Sequence, residues 1–112
     1  MINYGKQLLD RKDIKAVVDV LKGDWLTQGP QIDLFEESLK KYFGSRYCSV
    51  VSNGTAALHL ATKALNFKKG DYIFTTPISF LATSNSILYC NASPVFVDIE
   101  KDTFNIDVEK LE

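Results

Sequence analysis

The sequence predicts an α/β fold, a mainly parallel sheet flanked by helices, and three observations carry that prediction. Short β-branched and aromatic runs (47–51, 71–74 and 94–98) alternate with segments of helical periodicity (56–65 and 79–89). That order is the signature of βαβ units, in which crossover helices cover a parallel sheet. From Tyr72 to Val97 there is no Asp, Glu, Lys or Arg, so most of this stretch is expected to be shielded from water. The Gly, Pro and Asn punctuation falls between the runs, as turns and caps require.

Taken in order, Asp10 or Asp13 is positioned to cap a helix with Ile14, Val17, Val18 and Leu21 on its inner face, ending at Gly23. The connection Asp24 to Pro30 leads into a second amphipathic helix from Gln31 to Phe43. Ile32, Phe35, Leu39 and Phe43 form its apolar stripe and Gly44 stops it. Glu36/Lys40 and Glu37/Lys41 are i,i+4 pairs on its wet side. The run Tyr47–Val51 reads as a first strand, and Ala56–Leu65 as a helix with Ala57, Leu58, Ala61 and Leu65 inward. Asp71–Phe74 reads as a second strand, Thr75–Pro77 as a turn and Ser79–Tyr89 as a third inner helix. Asn91–Ser93 closes that helix, and Pro94–Asp98 reads as a third strand. Residues 1–44 are thus expected to form a helical segment, and 45–112 the first βαβαβ portion of a larger domain. Asp107 looks like the cap of a helix with only five residues after it, too few to be stable alone. These features lead to the expectation of an N-terminal part of a longer protein.

Composition excludes several classes of function. The 112 residues are 46% hydrophobic, 12% aromatic and 24% charged, the profile of a globular domain. Thirteen basic against fourteen acidic residues argue against a general nucleic-acid or anionic-membrane binder. Cys48 and Cys90 have no metal or redox spacing, the N-terminus lacks the apolar run of a signal peptide, and a cytoplasmic setting is expected. His59 has no nucleophile or carboxylate at a telling spacing, and no metal motif is present.

Chemistry is expected at two turns. Ser52-Asn53-Gly54-Thr55-Ala56 leads from a strand into a helix, where open backbone N–H groups and the positive helix end form an anion site. Most such turns bind nothing, and this one is neither a Walker A loop nor a three-glycine dinucleotide fingerprint. Thr75-Thr76-Pro77-Ile78-Ser79-Phe80 comes at the end of the next strand, where Phe80 is either a core ring or a flat surface for a planar heterocycle.

Together, WLTQGP (25–30), SNGTAALHL (52–60), TTPISFLATSN (75–85) and PVFVDI (94–99) resemble, in order and spacing, the DegT/StrS nucleotide-sugar aminotransferases, pyridoxal phosphate-dependent enzymes of fold type I. The resemblance spans essentially the whole chain. It is closest to the branch of pseudaminic acid biosynthesis, which aminates C4 of a UDP-linked 4-keto-6-deoxy-N-acetylhexosamine with glutamate as amino donor. It implies that Thr55 and Ala56 hold the cofactor phosphate, that Gly54 lies at the junction of cofactor and substrate, and that Phe80 stacks on the pyridine ring. It also implies a sugar site lined by Tyr4, Asp24, Trp25, Leu26 and Thr27. From the residues alone, Asp24 to Thr27 reads equally as a linker with Trp25 as packing anchor. The resemblance implies a homodimer at full length. It places the Schiff-base lysine and the aspartate on the pyridine nitrogen beyond Glu112, so the chain alone is expected to be inactive. Lys63, Lys68 and Lys69 lack the family's motif. The other readings are a same-fold sugar dehydratase and a non-catalytic ligand-binding module.

Overall fold

The computed structural model describes residues 5–111, which divide into two compact units at the Val50–Val51 junction. The first holds two helices, α1 (Arg11–Leu21) and α2 (Pro30–Phe43). Both expected caps of α1 are used at once. The Asp10 carboxylate accepts from the Lys12 and Asp13 N–H groups at 2.6 and 3.0 Å, and Asp13 reaches back to the Asp10 N–H at 2.8 Å. This reciprocal box satisfies N–H groups that the helix itself leaves unpaired. Helix α2 begins with Pro30 at its first position, where a missing N–H costs nothing, and ends at Gly44 with φ +63. The stripes assigned inward are uncovered: Ile14, Val17, Val18 and Leu21 of α1, and Ile32, Phe35 and Phe43 of α2, are exposed. Among the described residues neither helix has a buried side chain, because nothing in this unit packs on those faces.

The second unit contains α3 (Gly54–Ala64), β1 (Tyr72–Thr75), α4 (Ala82–Tyr89), β2 (Ser93–Phe96) and a single 3-10 turn at Val108–Lys110. β1 and β2 pair in parallel, Tyr72 opposite Ser93 through Thr75 opposite Phe96. With α4 they make one βαβ unit. Flanking bonds from Ser93 N–H to Asp71 O (2.9 Å) and Val97 N–H to Thr75 O (2.8 Å) extend the ladder at both ends. The buried core comprises Thr75, Ala82, Ser86, Ile87, Ala92 and Val97.

Four expectations need correction. Tyr47–Val51 is not a strand: a ladder needs a neighbour, and the Val50 N–H donates instead to the Glu36 carboxylate at 2.8 Å. The last inner helix starts at Ala82, not Ser79, since Ser79 to Leu81 form the turn that enters it. On α3 the covered side is not Ala57, Leu58, Ala61 and Leu65, all exposed, but the side carrying Thr55, Ala56, His59 and Thr62. Asp107 does cap, accepting from the Glu109 N–H at 3.1 Å, but the segment it starts is a single 3-10 turn.

That terminal segment is tied back on itself. Ile99 bridges Ile106 in antiparallel fashion, and Lys110 reaches Asp98 and Asp107, each at 3.4 Å. The Ile99 N–H, then Lys110, hold the Asp98 carboxyl below the usual carboxylate range. Asp107 and Asp98 in turn raise the Lys110 ammonium above its ordinary value.

Candidate functional site

The first candidate turn is built by Asn53. Its backbone is extended (φ -166, ψ 168) and its side-chain oxygen accepts from the Ala56 N–H at 2.9 Å, an N-cap that starts α3. The cap divides the donors of the first turn. Ala56 is committed to Asn53, whereas no hydrogen bond among the described residues engages the N–H of Gly54 or Thr55. Two adjacent open donors therefore sit at the positive end of an eleven-residue helix. No acidic residue occupies that first turn, unlike α1 with Asp13 and α2 with Asp33. A Cβ placed on Gly54 would meet nothing within 4 Å, so the space before the turn is open to a ligand of some bulk. Donors, charge and room fit a phosphate monoester.

Phe80 lies in the turn that leaves β1, at the carboxyl end of the sheet, the end where open α/β sheets collect ligands. It is 79% exposed, so none of the described residues covers the ring. The turn is tied to α4: the Thr83 N–H donates to Phe80 O at 3.0 Å, and the Ser79 and Thr83 hydroxyls lie 2.9 Å apart. An open planar ring on an anchored backbone suits stacking on a heterocycle.

Of the residues assigned to a sugar site, Tyr4 lies outside the described residues. Asp24 and Trp25 come together at a cavity of about 280 Å³ between the end of α1 and the start of α2, also lined by Asp19, Val20 and Pro30. Leu26 and Thr27 are exposed and do not line it. Gln28 turns left-handed (φ 50), and a Cβ on Gly29 would come within 3.2 Å of Trp25, so this turn is tight and glycine fits it. Trp25 remains 65% exposed.

Two features escaped the sequence reading. One is the cap role of Asn53, which Asn directly before a helical run signals. A polar seam joins α3 to α4: the Thr62 hydroxyl is 3.1 Å from Ser86 O and 3.5 Å from the Cys90 sulfur. Nearby, His59 meets Tyr89 edge-on with ring centroids 5.2 Å apart. No such bond or ring contact among the described residues links Phe80 directly to the Gly54–Ala56 turn. Among the described residues no His, Cys, Asp and Glu group is arranged to hold a metal, and no helix is long and apolar enough to cross a membrane.

Comparison with known proteins gives the family and the fold. Residues 7–112 match the model of the DegT/DnrJ/EryC1/StrS aminotransferase family. A UDP-4-amino-4,6-dideoxy-N-acetyl-beta-L-altrosamine transaminase of Campylobacter jejuni is 44% identical over 112 residues, covering 100% of this chain and 29% of that protein. Helicobacter pylori PseC, an aminotransferase involved in the biosynthesis of pseudoaminic acid, superposes with a TM-score of 0.88 at 40% identity, over 98% of this chain and 31% of its own. E. coli GDP-4-keto-6-deoxy-D-mannose-3-dehydratase with bound hydrated PLP gives 0.87 at 35% identity, over 97% and 30%. The chain spans less than a third of the length of the curated relatives it matches.

Proposed function

The chain belongs to the DegT/DnrJ/EryC1/StrS aminotransferase family, and from that membership we propose that it is the cofactor-anchoring part of a pyridoxal phosphate-dependent nucleotide-sugar aminotransferase. The full-length protein transfers an amino group, with glutamate as donor, to C4 of a UDP-linked 4-keto-6-deoxy-N-acetylhexosamine in surface-glycan sugar biosynthesis. The observation that carries the reading is the capped α3 turn with its two open N–H donors, in the sequence SNGTAALHL. The 44% identity to a transaminase of that sugar class supports the substrate, and the family is dependent on this cofactor.

The pyridine ring of the bound cofactor supplies an electron sink for the carbon that exchanges nitrogen. The residues of this chain bind and orient. The Gly54 and Thr55 N–H groups hold the dianionic phosphate at the positive end of α3, with the Thr55 hydroxyl as a further donor. Phe80 presents a flat apolar face that fixes the ring plane and keeps water from one side of it. By the resemblance, Tyr4, Asp24, Trp25, Leu26 and Thr27 are the residues that contact the sugar nucleotide. The chain contributes no group that bonds the cofactor carbon and none on the pyridine nitrogen, so alone it transfers no amino group. The full-length protein acts as a homodimer in the cytoplasm.

The test is to supply the full-length protein with the UDP-linked 4-keto sugar and glutamate. Stoichiometric 2-oxoglutarate and a 4-amino sugar are the expected products. A 35% identical dehydratase relative favours a second reading, loss of the C3 hydroxyl. A deoxygenated sugar carrying no nitrogen would establish that reading and exclude amination.

A further inference from the structure

The phosphate turn and the ring-facing Phe80 belong to different helices, and a ligand touching both requires their spacing to be fixed. Each contact is firmly joined to its own helix. Asn53 caps α3 through the Ala56 N–H at 2.9 Å, and Phe80 O holds the first turn of α4 through the Thr83 N–H at 3.0 Å. What joins the helices is polar at its centre. The Thr62 hydroxyl lies 3.1 Å from Ser86 O across the seam, and 3.0 and 2.9 Å from Leu58 O and His59 O on its own helix. A hydroxyl has a single proton and two lone pairs. It donates to one carbonyl at a time while accepting from the Cys90 thiol at 3.5 Å. Ser86, only 2% exposed, turns its own hydroxyl to Thr83 O at 2.8 Å, so the partner side of the seam is also committed. Apolar contacts tolerate sliding, whereas a directional bond in a shielded place favours one register.

Resting on the reading of Gly54–Ala56 as the phosphate turn and Phe80 as the ring contact, we propose that Thr62 is a positioning residue that sets the distance between those two contacts. It touches neither cofactor nor substrate. A ligand spanning both contacts senses its hydroxyl, and a ligand touching one of them does not.

The experiment compares three probes on the full-length protein: pyridoxal phosphate, which spans both contacts, inorganic phosphate and pyridoxal. Thr62→Val keeps the shape and removes the hydroxyl, and Thr62→Ser keeps the hydroxyl. Thr62→Val is expected to weaken pyridoxal phosphate by roughly three- to tenfold, the equivalent of one ordinary hydrogen bond. Phosphate and pyridoxal stay within about twofold of the unsubstituted protein, and Thr62→Ser restores the full affinity. Unchanged pyridoxal phosphate affinity in Thr62→Val overturns the proposal. So does a parallel loss for all three probes, which would mark a merely structural residue, or a failure of Thr62→Ser to rescue. If phosphate does not compete with pyridoxal phosphate in the unsubstituted protein, the reading of the turn itself fails and takes the proposal with it.

Discussion

Replacing Asn53 by Asp separates the stability of α3 from its capacity to hold a phosphate. Asp caps a helix as well as Asn, so the bond to the Ala56 N–H, 2.9 Å in the present structure, is kept. The new carboxylate also meets the positive end of the helix, worth about 0.3–1 kcal/mol in favour of the folded state. For an anion the sign is opposite. The open donors are on the two residues after Asn53, so the charges are taken as roughly 5 Å apart, about the spacing of neighbouring side chains on one helix turn. Two unit charges at that distance repel by about 0.8 kcal/mol in water and by about 3 kcal/mol near a protein surface. A dianion doubles this, so Asn53→Asp should cost at least about 1.7 kcal/mol of binding, roughly twentyfold in affinity. The loss should shrink as salt is raised. Asn53→Ala loses the cap itself, about 1 kcal/mol, so there stability and affinity fall together. Thermal unfolding and titration with inorganic phosphate, both on the full-length protein, measure the two quantities. If Asn53→Asp binds phosphate as tightly as the unsubstituted protein, the anion does not sit at this turn.

Phe80→Ala should leave stability within about 0.5 kcal/mol, because the ring is exposed. It should weaken pyridoxal by about 1 kcal/mol, near fivefold, and a titration with pyridoxal reads this directly. The C-terminal ion cluster should respond to pH in a fixed sense. The Asp98 carboxyl is lowered, so its contribution is present at neutral pH and lost as pH falls through its folded value. The Lys110 ammonium is raised, so its contribution is lost only as pH rises through its folded value. In Lys110→Met, the Asp98 carbon resonance should titrate at a higher pH than in the unsubstituted chain yet remain below the ordinary carboxylate, because the Ile99 N–H is the larger cause.

Local signals in the sequence identify what depends on neighbours in the chain. Asp10 and Asp13 mark the start of α1, Gly44 the left-handed end of α2 and Asp107 the terminal cap, since each acts on a backbone group a few residues away. What failed depends on partners. Tyr47–Val51 has strand composition but no edge to pair with, and composition does not supply one. The apolar rule chose Ala57, Leu58, Ala61 and Leu65 as the inner face of α3. The contact with α4 instead runs through Thr62 and His59, which a hydrophobic pattern cannot flag. The candidate site divides in the same way. The Gly54–Ala56 turn and Phe80 were legible as motifs, while the cap that reserves Ala56 and opens Gly54 and Thr55 is a property of three-dimensional geometry.

The charge-free stretch from Tyr72 to Val97 has two separate causes. Thr75, Ala82, Ser86, Ile87, Ala92 and Val97, the buried residues among those described, all fall within it, so part of the stretch is apolar because this βαβ unit buries it. The remainder is apolar but uncovered. Along β1, Tyr72 is 72% and Phe74 52% exposed, while Ile73 is half-buried and Thr75 buried. This is the alternation of a sheet with one face on α4 and the other open. Parallel sheets are normally covered on both faces, and burying two such rings is worth about 3–6 kcal/mol, a large share of a domain's net stability. Relatives of which this chain spans only 27–29% have more than twice its length again with which to build that second layer. The absence of charge on Tyr72 and Phe74 suits a face that such a layer covers in longer relatives. Phe80, in the turn after β1, is uncharged and uncovered as well; under the proposed function its ring is the one that faces the heterocycle. The uncharged run thus combines a buried core with an uncovered apolar sheet face.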